Sequence, residues 1–446
     1  MARRIVIIGG NAAGINAASF ARKTDRDAEI TIIERDKYAV YSRCGLPFVI
    51  AGEIPSFEDL VLYPPDYYKM MRIDLRTETT ATAIDKDAKT VEIQDNKTGA
   101  TETLEYDSLV LCTGARAWIP PIEGRDKKGV YMLRTIDDGR AISDAIREAR
   151  DAVIIGAGAI GLEMAASLRE RGLNVTVVEL LPHVLPVSLD QDMARLVQKK
   201  LDEHGVRVIT GKGVDAILGD ERVKAVSVAG EEIKADMVIA ATGVRANWDL
   251  AKEAGIELGR RGIKTDHRMM TSVEGIYAAG DCVENIHLIT KQPSVCQLGT
   301  AAVRMGKVAG INAAGGHATF PGFLGSFVTK VFDLQIGATG LTERDAKRFG
   351  FDAVSGSIRG ITRAEYYPGG KEVRVKLVVD GETHRVIGGQ VVGGEDVTQR
   401  VNAISLAIQA GMTIHDLARA DTCYAPPLAD VWEAIVLAAD VTLKRL

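Results

Sequence analysis

Two segments of the chain combine a run of apolar residues with a glycine-rich turn and a helical spacing. In the first, positions 4–8 form a mainly apolar run that leads into glycines at 9, 10 and 14, and a helix-like stretch follows to Lys23. A second apolar run at positions 30–33 ends at Glu34. Short continuous apolar runs around a helical spacing predict a strand, a helix and a second parallel strand.

The same pattern occurs again in the middle of the chain. Positions 152–155 are apolar, glycines follow at 156, 158 and 161, and the next apolar run ends at Glu179. Glu34 and Glu179 stand 25 and 23 residues after the first glycine of their loops, close to the interval of roughly 20 in dinucleotide-binding units. Small residues let the backbone approach a pyrophosphate, and the acid accepts from ribose hydroxyls. One glycine-rich turn also serves plain strand–helix packing, but two complete units favour two nucleotide sites.

The last third of the chain lacks a glycine loop of this kind. Positions 374–379 and 386–392 are predicted strands around a turn, and positions 397–411 have a helical apolar spacing. The expected fold class is therefore α/β, with two Rossmann-like nucleotide-binding domains and a C-terminal α+β domain.

Composition restricts the class of protein. The 446 residues suit two or three domains, and 46% hydrophobic with 26% charged residues is typical of a globular chain. The net charge of −5 argues against a nucleic-acid platform. No apolar run approaches a membrane span and no secretory signal is visible, so we expect a cytoplasmic protein. Five cysteines without a CxxC spacing fit neither a disulfide framework nor a zinc cluster, so no metal is expected.

Cys44 is the strongest candidate for chemistry. It lies in the segment Tyr-Ser-Arg-Cys-Gly-Leu-Pro at positions 41–47. Arg43 beside it favours the ionised thiolate by charge interaction. A single reactive thiolate attacks an external sulfur or oxygen and forms a mixed disulfide, a persulfide or a sulfenic acid. The alternative is a small core residue, which many cysteines are.

The two glycine loops, Cys44 and the strand-to-turn segments at 109–115, 239–245 and 275–281 resemble those of the flavin-dependent pyridine nucleotide-disulfide oxidoreductases. The resemblance covers the whole chain. It implies an FAD domain in two parts, an inserted NAD(P)H domain and a C-terminal dimerisation domain, at 1–118 with 244–322, at 119–243 and at 323–446. It also implies a homodimer.

The resemblance assigns residues to both cofactors, and Asp281 matches the aspartate that contacts the flavin ribityl and phosphate region. The FAD set is Gly9, Gly10, Asn11, Ala12, Ala13, Gly14, Glu34, Arg43, Thr113, Gly114, Gly280, Asp281, Gly299 and Thr300. The NAD(P)H set is Gly156, Gly158, Ala159, Ile160, Gly161, Glu163, Glu179 and Gly243.

Three residues of the NAD(P)H set carry specific expectations. Glu179 predicts a preference for NADH, because a carboxylate accepts from a free 2′-hydroxyl and repels a 2′-phosphate. NADPH stays an alternative, since basic side chains from elsewhere in the chain can also receive a 2′-phosphate. By resemblance, Glu163 lies near the nicotinamide and flavin N5, and Ala159 stands where several relatives carry an aromatic gate.

Val49 occupies the position where two-cysteine members of the family carry the disulfide partner. The chain therefore resembles the single-cysteine branch, which includes coenzyme A disulfide reductases, NADH oxidases, NADH peroxidases and NADH-dependent sulfur or polysulfide reductases. The segment at 44–52 is most similar to the coenzyme A disulfide reductases. Ala12 stands where peroxidases and many oxidases carry a histidine, which disfavours stabilised sulfenic acid chemistry.

Two tyrosines and a group of basic residues complete the predicted site. By resemblance, Tyr366 and Tyr424 act near the cysteine of the other subunit, where a phenol hydrogen-bonds or protonates a departing thiolate. Interface packing is the alternative role for both. The basic residues that would receive coenzyme A phosphates are Arg22, Lys23, Lys69 and Arg72. However, Phe20, Val40 and Arg43 replace polar residues of the best-known relatives, and exposed basic side chains are solvated by default.

These assignments predict an enzyme that moves hydride from NADH to FAD and electrons from the flavin to a disulfide joined to Cys44. Coenzyme A disulfide is the first predicted acceptor, and polysulfide or persulfide is a close second. An NADH oxidase that reduces oxygen is the alternative reading. A third reading, from another class, is a flavin-bearing NADH sensor or scaffold. The expected partners are small molecules and a second copy of the chain, with no nucleic acid and no membrane.

Overall fold

A computed structural model of the protein describes residues 2–446. Its α-helices are α1 (Ala12–Thr24), α2 (Leu46–Ala51), α3 (Pro65–Met70), α4 (Ile136–Ile146), α5 (Ala159–Glu170), α6 (Gln191–Glu203), α7 (Asp249–Glu253), α8 (Gly299–Ala313), α9 (Glu343–Arg348), α10 (Val397–Gln409), α11 (Ile414–Ala418) and α12 (Ala434–Leu443). Two 3-10 turns lie at Arg43–Gly45 and Glu58–Leu60.

The strands of the same residues fall into parallel and antiparallel sheets. They are β1 (Arg4–Ile8), β2 (Glu29–Ile33), β3 (Ile73–Arg76), β4 (Thr79–Asp85), β5 (Thr90–Asp95), β6 (Thr101–Glu105), β7 (Ser108–Leu111), β8 (Ala115–Ala117), β9 (Val130–Tyr131), β10 (Asp151–Ile155), β11 (Asn174–Glu179), β12 (Arg207–Thr210), β13 (Ala216–Leu218), β14 (Ala225–Val228), β15 (Glu231–Lys234), β16 (Met237–Ala240), β17 (Val244–Ala246), β18 (Ile263–Lys264), β19 (Ile276–Ala278), β20 (Val283–Ile286), β21 (Pro293–Ser294), β22 (Phe327–Val331), β23 (Leu334–Gly340), β24 (Ala353–Ile361), β25 (Glu372–Asp380) and β26 (Val386–Gly393).

The first compact unit comprises the chain up to Leu46, Pro55–Ala117 and Val244–Phe323. Its main sheet is parallel with the order β19-β7-β1-β2-β3. The apolar residues of β1 are buried, as expected for a central strand covered on both faces. Helices α1 and α8 pack against each other, and Gly306 and Gly310 allow this because a Cβ at either would lie within 3.0 Å of the α1 backbone.

The second compact unit comprises Pro47–Ile54, Trp118–Gly243 and Leu324–Leu446. It contains a parallel sheet with the order β12-β11-β10-β16-β9 and a small antiparallel sheet of β13, β14 and β15. Its C-terminal part is an antiparallel sheet with the order β22-β23-β26-β25-β24, which α10 and α12 cover.

The observed architecture confirms the expected α/β class with two Rossmann-like sheets and a C-terminal α+β region. The predicted strands at 374–379 and 386–392 lie within β25 and β26, and the predicted helix at 397–411 is α10. The division into three domains stays a prediction. The predicted NAD(P)H segment, 119–243, and nearly all of the predicted dimerisation segment, 323–446, lie in one compact unit. Segment 47–54 also joins the second unit, which no local pattern indicated.

A buried ion cluster joins the parallel sheet region of the second unit to its C-terminal sheet. Lys376 of β25 lies 3.1 Å from Asp190, 3.0 Å from Asp192 and 3.4 Å from Glu343. The Lys376 side chain is only 6% exposed. The Gln390 side-chain amide donates to Asp190 at 2.7 Å and accepts from the Asp190 backbone at 2.8 Å. Each buried charge therefore has an opposite charge and hydrogen bonds, which such groups require.

Lys376→Met is expected to destabilise the second unit strongly. Removal of one partner leaves the Asp190 carboxylate buried without a counter-charge, which costs about 3–5 kcal/mol in free energy of unfolding. Lys347→Met is the matched control, because Lys347 also contacts Glu343, at 2.6 Å, but is 60% exposed and its loss should cost less than about 1 kcal/mol. Denaturant unfolding checks both, and equal losses in the two variants would contradict the expectation.

The folded protein is expected to lose stability in acid as Glu343 becomes protonated. Burial opposes its ionisation, but hydrogen bonds from Lys347 and Ser355 and the charge of Lys376 outweigh burial and lower the pKa of Glu343 from 4.5 to about 2. A depressed folded-state pKa stabilises the fold above the unfolded-state value, and this contribution is lost as the pH falls from 4.5 towards about 2. Unfolding midpoints measured across that range should fall less steeply in Glu343→Gln than in the wild type. The exposed Glu382→Gln should keep the wild-type slope.

Candidate functional site

The first glycine loop connects β1 to α1 by backbone contacts that only glycine permits. Gly9 has a φ of 100°, a conformation that residues with a Cβ rarely adopt. A Cβ on Gly9 would lie within 3.0 Å of the Cys112 backbone oxygen, and one on Gly14 within 3.0 Å of the Gly9 backbone oxygen. Asn11 caps α1 and accepts from the Ala12 N–H at 2.7 Å. The start of α1 is therefore seated directly on β1.

Glu34 follows β2 and faces this loop. Its carboxylate accepts from the Gly10 N–H at 2.7 Å and from the Asp36 N–H at 3.0 Å. Burial is the main influence on this carboxyl and raises its pKa, while the two backbone hydrogen bonds act in the opposite direction. Each oxygen keeps a further lone pair, so the carboxylate can accept from ribose hydroxyls as the sequence predicts.

The second loop makes the same kinds of backbone contact as the first loop. Gly156 has a φ of 104°, and a Cβ there would lie within 3.0 Å of the Ala241 backbone oxygen. A Cβ on Gly161 would lie within 3.0 Å of the Gly156 backbone oxygen. Glu179 accepts from the N–H of Ala157 at 2.7 Å and from that of Leu181 at 2.8 Å. The two units thus hold their acidic residues in the same way.

The second loop differs from the first at the start of its helix. Gly158 is the N-cap of α5 and has no atom within 4 Å of the position of a Cβ. Ala159 and Ile160 form the first turn of α5, and the Ile160 side chain is exposed. Open space in front of a helix N-terminus suits a pyrophosphate. Leu180 follows Glu179 and is also exposed, so an apolar residue stands directly after the acid predicted to bind ribose.

The other residues predicted for FAD lie shortly after β7, shortly after β19 or at the start of α8. A Cβ on Gly280 would contact Ala13 at 3.0 Å, so the turn with Asp281 lies against the start of α1. Thr113 donates from its hydroxyl to the Asn247 backbone oxygen at 2.6 Å, and Asn247 donates back to Thr113 at 2.9 Å. Gly299 and Thr300 begin α8. Gly114 accepts from the Asn247 N–H. Gly243, which belongs to the NAD(P)H set, accepts from the Trp118 N–H.

Cys44 lies in the 3-10 turn Arg43–Gly45 and its side chain is exposed. All five cysteines are thiols rather than halves of disulfides. Cys282 and Cys296 are buried and Cys112 is partly buried, and burial raises the pKa of all three thiols, to about 12 for Cys296. Because the thiolate is the reactive form, these three are inert. Cys44 differs from them by its exposure.

Arg43, which precedes Cys44 in sequence, has a buried N–H group without an acceptor among the described residues. Its guanidinium lies 5.5 Å from the Tyr41 ring and 4.0 Å from the Asp36 carboxylate. Its Nε is buried and has no hydrogen-bond partner among the described residues. A buried donor of this kind calls for an acceptor that the chain itself does not supply. Together with the glycine cradle and Glu34, this donor fits a bound dinucleotide in the first unit.

The structure brings Tyr366 and Tyr424 together, although 58 residues separate them. Their hydroxyl oxygens are 2.8 Å apart, and both side chains are exposed. The hydrogen bond to Tyr366 is the main reason that the pKa of Tyr424 is raised. The loop before Tyr366 is anchored where Arg363 holds Glu395 with two hydrogen bonds of 3.1 Å. Exposed paired phenols are available to a ligand or a partner chain.

The basic residues predicted for coenzyme A have different surroundings. Arg22 donates to four backbone oxygens, of Met71, Arg26, Ala28 and Arg72, so only one of its five N–H groups remains for a ligand. Arg72 donates to the Arg26 backbone, and Lys69 pairs with Asp66 at 3.3 Å on the surface. Lys23 and Lys307 both lie over the Phe20 ring, at 4.6 Å and 5.0 Å from its centroid.

Glu163 lies on the first turns of α5 and has a partner that sequence analysis missed. The Thr329 hydroxyl of β22 donates to the Glu163 carboxylate at 2.5 Å. Burial raises the pKa of Glu163. Thr329 is 166 residues away in sequence and belongs to no motif, so no local signal could have identified it.

Two dinucleotide-type loops, each with its acid, and an exposed thiol define a redox protein that uses nucleotide cofactors. The sequence model described as "Pyridine nucleotide-disulphide oxidoreductase" matches residues 3–306, and the model of the dimerisation domain of the same family matches residues 326–435. The chain belongs to the pyridine nucleotide-disulphide oxidoreductase family. The expected family is thereby confirmed, and the protein is an oxidoreductase with FAD and NAD(P)H as its cofactors.

Relatives of different activity resemble the chain along almost its full length. An NADH oxidase of Methanocaldococcus jannaschii is 48% identical over 446 residues, with 99% of each chain covered. An NAD(P)H coenzyme A polysulfide/persulfide reductase of Pyrococcus horikoshii is 39% identical, with 99% of this chain and 98% of the relative covered. The solved structure of an NAD-dependent persulfide reductase from A. fulgidus superposes with a TM-score of 0.96 at 41% identity, covering 99% of this chain and 83% of that one.

Metal sites and membrane-spanning helices are both absent from residues 2–446. No group of three or more His, Cys, Asp or Glu side chains in that range could hold a metal ion. No helix in the same range is long and apolar enough to cross a membrane.

Substitution of Gly158 and of Gly161 in the second loop by alanine is expected to have different effects. Gly161→Ala should destabilise the protein, because the new Cβ would collide with the Gly156 backbone. Gly158→Ala should leave the unfolding midpoint unchanged, because its Cβ enters open space, and should weaken NADH binding by about tenfold or more through a clash with the pyrophosphate. Thermal unfolding, FAD content and NADH titration check this. Normal NADH affinity in Gly158→Ala would place the nucleotide elsewhere.

Proposed function

We propose that the protein transfers electrons from NADH, through FAD, to a sulfur–sulfur bond joined to Cys44. A low-molecular-weight disulfide or a polysulfide or persulfide is the acceptor. The observation that carries the proposal is the exposed thiol of Cys44 in the turn Arg43–Gly45, with valine at position 49. A thiol in that turn must exchange with an external sulfur, because the turn offers no second cysteine.

Cys44 performs the exchange by attack of its thiolate on one sulfur of the acceptor. A new sulfur–sulfur bond forms, the old one breaks, and the first thiol or hydrosulfide leaves with the electron pair. Two electrons and a proton then break the mixed disulfide, which releases the second product and restores the Cys44 thiolate. FAD, when bound, supplies the exchange of electrons between the nicotinamide and this sulfur. Arg43 favours the thiolate by its charge.

The tyrosine pair is proposed to give the proton to the departing sulfur. In a hydrogen-bonded pair, the phenol that accepts from its neighbour becomes a better donor towards a third group. The 2.8 Å contact of Tyr366 and Tyr424 supports such a relay. In a homodimer, the pair would serve Cys44 of the partner subunit. The dimerisation domain match and the exposure of both rings support this arrangement.

The nucleotide is proposed to be NADH. The Glu179 carboxylate is fixed by two backbone N–H groups, so it cannot turn away from a 2′-phosphate without losing both hydrogen bonds. The next two residues are Leu180 and Leu181, which offer no positive charge to a phosphate. Both features support the free 2′-hydroxyl of NADH.

Coenzyme A is proposed as the carrier of the substrate sulfur. The two cations over Phe20, Lys23 and Lys307, offer charge for phosphate beside an aromatic face for an adenine ring. Lys69 and Arg72 stay predicted contacts. Arg22 has little donor capacity left, so its contribution to phosphate binding is proposed to be small. The name of the Pyrococcus horikoshii relative also includes coenzyme A.

An NADH oxidase is the second candidate. The observation that favours it is the identity of 48% to the Methanocaldococcus jannaschii protein of that name. Ala12 at the start of α1 disfavours it, since the first loop then lacks the histidine that the resemblance to peroxidases and many oxidases would require. Oxygen reduction that depends on Cys44 would decide for this candidate.

Cys44→Ser separates these candidates. Under anaerobic conditions with NADH, we expect its turnover of coenzyme A disulfide and of polysulfide to fall at least about 1,000-fold, because the covalent route is lost. Flavin bleaching by NADH should persist, because hydride transfer precedes the sulfur chemistry. Product thiol and NADH absorbance are measured for each acceptor.

Cys423→Ser is the matched control, because Cys423 is also an exposed thiol, and it should retain turnover within about twofold. Equal disulfide turnover in the wild type and Cys44→Ser would refute the proposal. Oxygen consumption that needs Cys44 and forms no hydrogen peroxide would instead support the oxidase.

A further inference from the structure

Strand β22 carries two neighbouring side chains that reach different parts of the second unit. It is the edge strand of the C-terminal sheet, and side chains alternate between the faces of a strand. Thr329 is 9% exposed and contacts Glu163 of α5, whereas Lys330 contacts Glu53, two residues after the end of α2, and the Phe48 ring within α2. The strand therefore touches both the helix of the second nucleotide loop and the helix that follows Cys44 in sequence.

The contact with α5 is a hydrogen bond to the Glu163 carboxylate. Thr329 Oγ1 donates to Glu163 Oε1 at 2.5 Å. Burial raises the pKa of Glu163 and the hydrogen bond from Thr329 acts in the opposite direction, while no charged side chain contributes. The threonine hydroxyl is thus the group that fixes the direction of this carboxylate.

The contact of Lys330 is an ion pair with Glu53, just after α2, and α5 supports the same segment of the chain. Lys330 Nζ lies 2.7 Å from Glu53 Oε2 and 5.4 Å from the centre of the Phe48 ring. Ser167, one turn after Glu163 on α5, donates to the Pro47 backbone oxygen at 3.0 Å. Pro47 is three residues after Cys44. β22 and α5 together hold the segment that leaves the reactive turn.

Packing alone does not explain a threonine at position 329. A hydroxyl buried in a sheet costs free energy unless it is hydrogen-bonded, and valine has the same shape without that cost. Val331, on the same face of β22, and Ile336, the register partner of Thr329 on β23, are both buried and apolar. The hydroxyl is accounted for by its bond to Glu163.

We propose that Thr329 is a positioning residue for the reduction of the enzyme, because its hydroxyl holds the Glu163 carboxylate in one orientation. This inference rests on the proposed function and on the place of Glu163 beside the nicotinamide that the family resemblance implies. A carboxylate that is not held samples several side-chain rotamers. Misplacement at a reacting centre lowers the rate of the chemical step more than the affinity for the substrate.

Thr329→Val and Thr329→Ser test the inference in the FAD-loaded protein. Anaerobic stopped-flow mixing with NADH gives the limiting rate of flavin reduction and the Kd of NADH separately. Thr329→Val should lower the limiting rate about tenfold, which corresponds to about 1.4 kcal/mol, and change the Kd by less than about twofold. Thr329→Ser keeps the hydroxyl and should restore the rate to within about threefold of the wild type.

Thr339→Val is the matched control for loss of a hydroxyl from the same sheet. Thr339 of β23 is buried and hydrogen-bonds Ser326 at 2.7 Å, away from α5. This variant should keep the wild-type rate of flavin reduction. If Thr329→Val fails to fold, Thr329→Ala replaces it in the same assays. A wild-type rate in the Thr329 variant, or a rate loss matched in the Thr339 variant, overturns the inference.

A double-mutant cycle provides a readout that does not use activity. Thr329→Val should lower the thermal unfolding midpoint in the wild-type background. It should leave the midpoint unchanged or raise it in Glu163→Leu, because the hydroxyl then has no carboxylate to bond. Equal decreases in both backgrounds overturn the inference.

Glu163→Gln separates failure of this inference from failure of the proposed function. If Glu163→Gln reduces its flavin at the wild-type rate, Glu163 has no part in reduction and its proposed place beside the nicotinamide is wrong. If Glu163→Gln is slow and Thr329→Val is not, only the role of Thr329 is wrong.

Discussion

Contact between backbones in the two glycine loops is the constraint on which the rest of the nucleotide-binding architecture depends. In each loop, the last glycine lies so close to the backbone oxygen of the first that no Cβ fits, and the first lies equally close to the strand that crosses beside it. These contacts fix the start of α1 against the end of β1, and the start of α5 against the end of β10. The seated helix determines which backbone N–H groups point outwards and which ones hold Glu34 and Glu179. A side chain at Gly14 or Gly161 would therefore displace the helix together with the backbone N–H groups around Glu34 or Glu179.

A second feature of the structure is that several charged side chains are held by partners from distant segments of the sequence. Thr329 reaches Glu163 across 166 positions of sequence, and Lys330 reaches Glu53 across 277. Lys376 and Asp190 form the same kind of long-range contact at the base of the C-terminal sheet. Glu163 and the Lys376–Asp190 pair would be costly to bury alone, and each is stabilised by a group from a distant segment, whereas Lys330 and Glu53 are both more than 40% exposed. The C-terminal sheet consequently contributes more than a surface for dimerisation, since it also supports the helix that follows the second glycine loop.

The fold class, the family and the local parts of the site could be predicted from the sequence, because the determining contacts lie within a few residues. Glycines at fixed intervals after an apolar run, followed by an acid at the end of the next strand, leave little choice of structure. Other site residues could not be predicted in this way. Arg22 has the charge expected of a phosphate ligand, yet its guanidinium is occupied by four backbone oxygens from the segments around it. Thr329 has no motif, because a single threonine in a strand is compatible with many roles.

The sequence by itself determined the two nucleotide units, the reactive turn with a single cysteine and the absence of its usual second sulfur at position 49. The tertiary structure alone decided that Tyr366 and Tyr424 share a hydrogen bond, that Arg22 is engaged and that β22 holds Glu163. The physical reason is the range of the interactions. Backbone conformation is restricted by immediate neighbours, and this restriction is visible in the order of residue types, whereas side-chain pairing between distant segments depends on how the sheets and helices pack.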